Sequence, residues 1–279
     1  MTLSLQAAGS VLDPPARTYQ ENPADLRFFE DLLERHGQRF DRERFLSGRH
    51  VDHRSLTDLL ADQDGLRGRT ADLIVVAHAL PDVLAHGVTA SHAALRFGDG
   101  VHGFSVADQG LAAPFTGLRI VSAFRASGRA RHPVLLVVEQ TTLPAHDPVV
   151  DDGPVRLVDS GALLAFGEDG PLRLGAGSDE VRVDLPADRL PELIRAQAHP
   201  DAGETLVVLG PDAPEPEPVP GGHLHRVPPG SYATSVWIAL ADNWREWARR
   251  FDRVLLCDVD RRRGRGCLAT LRCERHEAD

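Results

Sequence analysis

The sequence contains no lysine. Its 31 basic residues are all arginine, set against 41 acidic ones, for a formal net charge of −10. A surface of that sign offers little to a phosphate backbone, which excludes nucleic acid as the expected partner. Cysteine is nearly as scarce: Cys257, Cys267 and Cys273 sit near the C-terminal end, without metal-ligand spacing, and no cysteine precedes them. That leaves no disulfide framework and no zinc motif to expect. Long apolar runs are missing too. Stretches such as 73-LIVVAHAL and 134-VLLVVE are far short of the roughly 20 residues that span a bilayer. No charged segment followed by an apolar one opens the chain, and the expectation is a reduced, cytoplasmic protein. The G-x-S-x-G and G-x-x-x-x-G-K-[ST] patterns are absent as well.

What is present is enough for a full core: 279 residues, 42% of them hydrophobic, fit one large domain or two lobes. In 22-NPADLRFFEDLLERHG-37, Asn22 reads as a cap, Pro23 as the first helical residue and Gly37 as a stop, around an apolar stripe of Leu26, Phe29, Leu32 and Leu33. A weaker helix at 55-SLTDLLADQ and another near 89-TASHAALRFG flank the strand 72-DLIVVAHA. The runs 133-PVLLVVEQ and 161-GALLAFGED are continuous and Val/Leu-rich, as in a sheet covered on both faces. Between them and the second helix, 104-FSVADQGLAAPFTGLRIVSAF-124 reads as a strand, a tight elbow and a helix that begins on small residues.

The second half repeats this order: 205-TLVVLG, 224-LHRV, a turn, a helix from 231-SYATSVWIALADNWREWARR, then strands 253-RVLLCDVD and 266-GCLATLRC. Equal spacing between the elbow strand and the next strand in both halves points to an internal duplication. The expected division is a lobe over 1–170, a connector over 171–204 and a shorter lobe over 205–279. Within the latter, 211-PDAPEPEPVPGG-222 is too proline-rich to be helical.

Four stretches together resemble the thiolase superfamily and, within it, the β-ketoacyl-acyl carrier protein synthase III-like condensing enzymes. They are 71-ADLIVVAHALPD, the elbow 104-FSVADQGLAAPFTGLRIVSAF, 133-PVLLVVEQTTLP and 158-VDSGALLAFGED, the last similar to an Asp-Gly-Ala-Ala segment. The resemblance is fullest over residues 70–170, and weaker over 229-PGSYATSVWIAL and 253-RVLLCDVD. It implies an α/β thiolase-like fold, two duplicated βα lobes with mixed sheets in α-β-α-β-α layers.

Such enzymes condense or transfer acyl groups with an elbow cysteine, a histidine and an asparagine or second histidine. Here the cysteine position falls on Leu111 or Gly110, the histidine near Gly210 or Pro211, and the asparagine on Gly230 or Ser231. None of these can serve, and the chain is shorter than usual where the acyl tunnel is built. The resemblance therefore implies a non-catalytic subunit, without cofactor or metal, similar to the inactive partner in the heterodimeric alkylquinolone-forming condensing enzyme. Its partner would be an active synthase III-like protein that handles acyl-CoA or acyl carrier protein in specialised metabolism. The strand 102-HGFSV-106, with Phe104, Ser105 and Val106, would be the edge added across a two-fold.

An acyltransferase or hydrolase using other residues of the old pocket, and a homodimeric scaffold or binding protein, are the alternatives. Other chemistry-bearing groups have bland readings. His50 and His53 in 49-RHVDHR read as a solvated surface turn, and His223 and His225 as structural or exposed strand residues. Cys257, Asp258 and Asp260 read as a strand end running into an exposed hairpin, and His146 and Asp147 as a loop without a nucleophile beside it.

Overall fold

The computed structural model describes residues 2–175, 180–198, 203–218 and 221–274. The first half runs β1 (Leu3–Leu12), α1 (Pro23–Arg35), α2 (Arg42–Leu46), α3 (His53–Ala61), β2 (Leu73–Ala77), α4 (Thr89–Phe97), β3 (His102–Val106), α5 (Ala112–Ala126), β4 (Pro133–Glu139), α6 (Pro148–Asp151) and β5 (Ser160–Gly167). The second runs β6 (Leu172–Leu174), β7 (Val181–Pro186), α7 (Leu190–Gln197), β8 (Thr205–Leu209), β9 (Gly222–Arg226), α8 (Ser235–Arg250), β10 (Arg253–Asp260) and β11 (Arg265–Cys273). Asn22 caps α1 as its sequence implies, accepting from the Ala24 N–H at 3.0 Å, and Gly37 follows its end at φ +69°.

The Val/Leu runs are apolar throughout because both of their faces are buried. Val75, Ala77, Leu135 and Val137 pack inward with α5, while Ile74, Val76, Leu136 and Val138 pack outward with Leu56 and Leu60 of α3 and Ala90 and Ala93 of α4. The second half does the same, with Leu190 and Ile194 of α7 covering Val207, Leu255 and Cys257. Helices α5 and α8 lie between the two halves and each touches strands of both. Phe115 and Trp237 meet there edge to face, ring centroids 4.9 Å apart. Gly117 lets α5 sit close to the sheet, since a Cβ would come within 2.7 Å of Leu135 Cδ1. These are the expected α-β-α-β-α layers.

The strands form one ladder in the order β3-β2-β4-β5-β1-β6-β11-β10-β8-β9, with β7 branching from β11. Three parallel strands and two antiparallel ones recur on each side of the β1–β6 pair, where Leu3 faces Leu174. The duplication extends to register. Phe104 and Leu135 flank Val75, and Leu224 and Leu255 flank Val207, with the same sequence offset in both halves.

Some expectations change. The 171–204 stretch carries β6, β7 and α7, which belong to the layers themselves; residues 176–179 and 199–202 within it, and 219–220 of the proline-rich loop, lie outside the described residues. His50 and His53 are not on a solvated turn: both are buried, His50 stacked on Tyr19 and His53 tilted against His78. His53 starts α3 and is held neutral by burial, its pKa well below the ordinary value. His223 and His225 share one face of β9, against Phe251 and Trp247.

Strand β3 ends the ladder, and among the described residues only β2 pairs with it. The His102 N–H donates to Asp72 O, and Val106 O accepts from the His78 N–H, so both residues spend their backbone groups inward. By the alternation of a strand, Gly103 and Ser105 present theirs at the free edge.

Candidate functional site

The duplicated fold sets two elbows side by side. In the first, β3 turns through Gly110, at φ +55°, into α5; in the second, β9 turns through Gly230, at φ +131°, into α8. The helix expected from residue 231 begins at Ser235, which leaves 231–234 as part of the turn. Neither helix has a side-chain cap. Between the elbows lies a cavity of about 310 Å³ whose walls include Leu111, Pro211, Gly230 and Ser231. Three positions widely separated in sequence thus meet at one cavity.

The places from which side chains at 110 and 210 would project are occupied. A Cβ on Gly110 would lie 3.0 Å from the Tyr232 phenol oxygen and 3.2 Å from Asp260 Oδ2. A Cβ on Gly210 would lie 2.0 Å from Asp258 Oδ1. Leu111 itself is buried and apolar.

Asp258 and Asp260 were expected at a strand end that runs on into an exposed hairpin. Strand β10 carries both, buried, into the cavity wall, and the hairpin starts at Arg261. The Ser235 hydroxyl donates to Asp258 at 2.6 Å and the Val259 N–H at 2.9 Å, yet burial pushes the carboxyl up to about 7. Asp260 accepts from the Tyr232 hydroxyl at 2.9 Å and from the backbone N–H groups of Arg262 and Arg263 at 3.1 Å. Burial, followed by the charge of Asp260, lifts the Tyr232 phenol far above its ordinary value, so it stays protonated as a donor.

Glu139 ends β4 and ties the halves together. Its two oxygens accept the N–H groups of Tyr232 at 2.8 Å and Ala233 at 2.6 Å, fixing the second elbow, and burial pushes its pKa up to about 7. Tyr232 and Glu139 escape sequence reading. For Glu139 a signal existed, a charged residue closing an otherwise apolar strand run. The i, i+2 spacing of Asp258 and Asp260 on a strand likewise places them on one face.

His146 is paired with Asp152 at 2.9 Å, and Asp147 caps α6 by accepting from Val149 N at 2.7 Å. Among the described residues no three His, Cys, Asp or Glu side chains are grouped to hold a metal, and no helix is long and apolar enough to cross a membrane. Cys257 and Cys267 are buried, with thiols pushed up by burial, Cys267 to about 12.

No family model and no curated protein matches the sequence. Solved structures do. AbyA1, a tetronic acid condensing enzyme, is 18% identical with a TM-score of 0.60 over 97% of this chain and 100% of its own. The 3-oxoacyl-(acyl carrier protein) synthase III of Pseudomonas aeruginosa PAO1 is 17% identical, TM-score 0.58, over 99% of each chain. An OleA of Xanthomonas campestris is 12% identical, TM-score 0.58, over 98% of each. Repeated strand order, two buried central helices and end-to-end superposition on these structures establish that the chain has the α/β thiolase-like fold.

Proposed function

We propose that this chain is a non-catalytic synthase III-like subunit that forms a heterodimer with an active condensing enzyme. Its lobes would be 1–170 and 205–279, joined through 171–204. One observation carries the reading: Leu111, Pro211, Gly230 and Ser231 converge on one cavity, yet offer no thiolate and no histidine. The space that catalytic side chains would need at 110 and 210 belongs to Tyr232, Asp260 and Asp258. The fit to condensing enzymes in fold, with AbyA1 among them, supports a biosynthetic setting in which the partner handles acyl-CoA or acyl carrier protein. The unpaired edge of β3, with Phe104, Ser105 and Val106, supports strand addition to that partner across a two-fold.

The purified chain should take up no acyl group from a radiolabelled acyl-CoA and should not condense it with malonyl thioesters. Stable acylation within residues 105–116 would overturn this. Leu111→Cys alone should also fail, because the positions that the resemblance aligns with the family's histidine and asparagine carry Gly210 or Pro211 and Gly230 or Ser231, and loss of even one oxyanion donor typically costs about 10²–10³-fold. Condensation by that single variant would return the chain to the active enzymes. A second reading, acid–base chemistry by other residues, is favoured by one observation: Asp258 lines the cavity with a carboxyl that titrates near neutrality. A homodimeric scaffold uses the same β3 edge, and the oligomeric state separates it from the heterodimer.

A further inference from the structure

We infer that the cavity between the two elbows is a binding site for a small apolar molecule carrying one protonated amine, with the Asp258 carboxylate as its counter-ion. The inference goes beyond the partner-subunit reading, since it concerns a ligand of this chain alone. Four carboxylates line the cavity, and three are already matched. Asp212 meets Arg261 at 3.3 Å, Asp260 meets Arg263 at 3.7 Å, and Asp152 is hydrogen-bonded to His146 at 2.9 Å.

Asp258 differs. Its contacts are the Ser235 hydroxyl and its neighbour's N–H, both neutral, although it is 3% exposed. A buried carboxylate without a cation is costly, and a ligand ammonium placed against it recovers that cost. The arginines on the lining do not fill the role. Arg261 stands at the rim with 70% of its side chain exposed, and Arg262 donates to the carbonyl of Pro148. The walls around Asp258 are largely apolar, built from Leu111, Val149, Val155, Leu157, Pro211 and Val259. At about 310 Å³ the cavity falls at the small end of ligand sites. A carboxylate ligand would meet like charge, and an uncharged one would leave Asp258 unmatched.

Benzylamine and its uncharged analogue benzyl alcohol are suitable probes, titrated into the full-length chain at pH 8 by calorimetry and by thermal shift. Benzylamine should bind at least tenfold more tightly than benzyl alcohol. Asp258→Asn should erase that preference, and Val155→Trp, which fills the rim while leaving Asp258 intact, should weaken both probes at least fivefold. Equal affinity for the two probes in the wild-type chain, or an amine preference that survives in Asp258→Asn, would overturn the inference. Should Asp258→Asn not fold, the wild-type comparison and Val155→Trp still decide it. Because no partner is present, failure here is distinguishable from failure to form a heterodimer.

Discussion

Gly210→Ala is expected to destabilise the fold by about 3 kcal/mol, within the range for overpacking a filled site. The added methyl would stand 2.0 Å from Asp258 Oδ1, and Asp258 is a short, buried side chain held by Ser235. It has no long stem on which to swing aside. Histidine at 210, which with 211 is where the resemblance puts the family's histidine, should fold worse still. Gly110→Ala should cost less, about 1–2 kcal/mol, from its φ of +55° and a 3.0 Å approach to the Tyr232 oxygen. Urea midpoints at constant m-value would measure each. A Gly210→Ala protein as stable as wild type would mean that the space beside Asp258 is open.

Stability should fall as pH rises from 5 to 8, the reverse of the usual contribution of paired carboxylates. Glu139 is raised from 4.5 to about 7 and Asp258 from 3.8 to about 7, in each case chiefly by burial. The folded state therefore binds more protons than the unfolded one between about 4 and 7, and the cost of charging these groups is fully present above that window. At about 1.4 kcal/mol per pKa unit, each group accounts for roughly 3–4 kcal/mol. Asp159, Asp212 and Asp260 add repulsion to one or the other. Carboxyls held low, such as Asp151 beside Arg44, work in the opposite sense at more acidic pH. Glu139→Gln should flatten part of the slope while lowering stability at pH 5, because a neutral amide cannot accept from both Tyr232 and Ala233 without turning its NH₂ toward one of them. Urea unfolding at pH 5 and 8 would measure this, and a stability that stays level or rises across the range would contradict the burial of these two carboxyls.

Much of the fold was legible because burial on both faces writes itself as apolar runs. The strands at Leu73–Ala77, Pro133–Glu139 and Arg253–Asp260 are examples, and the Asn22–Pro23 start of α1 follows from local capping chemistry. β1 was not legible. Its 3-LSLQAAGSVL holds small and polar residues where neighbours crowd in, as at Gly9, where Gln63 and Leu66 leave no room for a side chain. β6 and β7 are short and gain their identity from pairing with distant β1 and β11. In the site, the family resemblance pointed to Leu111 or Gly110, Gly210 or Pro211, and Gly230 or Ser231; of these, Leu111, Pro211, Gly230 and Ser231 line one cavity. It could not show what fills the space beside them. The Tyr232–Asp260 and Ser235–Asp258 pairs bridge separate elements, so neither is written in a local stretch of sequence. His50 and His53 misled because their charged sequence neighbours suggest solvent, whereas Arg49 pairs with Asp13 and Asp159, Asp52 caps α3, and both rings are buried.

Co-expression with an intact synthase III-like enzyme, followed by purification on a single tag, tests the partner-subunit reading most directly. The decisive variant is Ser105→Pro rather than a proline at Phe104 or Val106, because Ser105 presents its N–H at the free edge while Val106 is committed to β2. The expected result is a 1:1 complex with the wild-type chain that is lost with Ser105→Pro, both proteins remaining folded. A wild-type chain that stays monomeric beside every condensing enzyme encoded next to it would contradict the proposal, and a tight homodimer would transfer it to the scaffold reading.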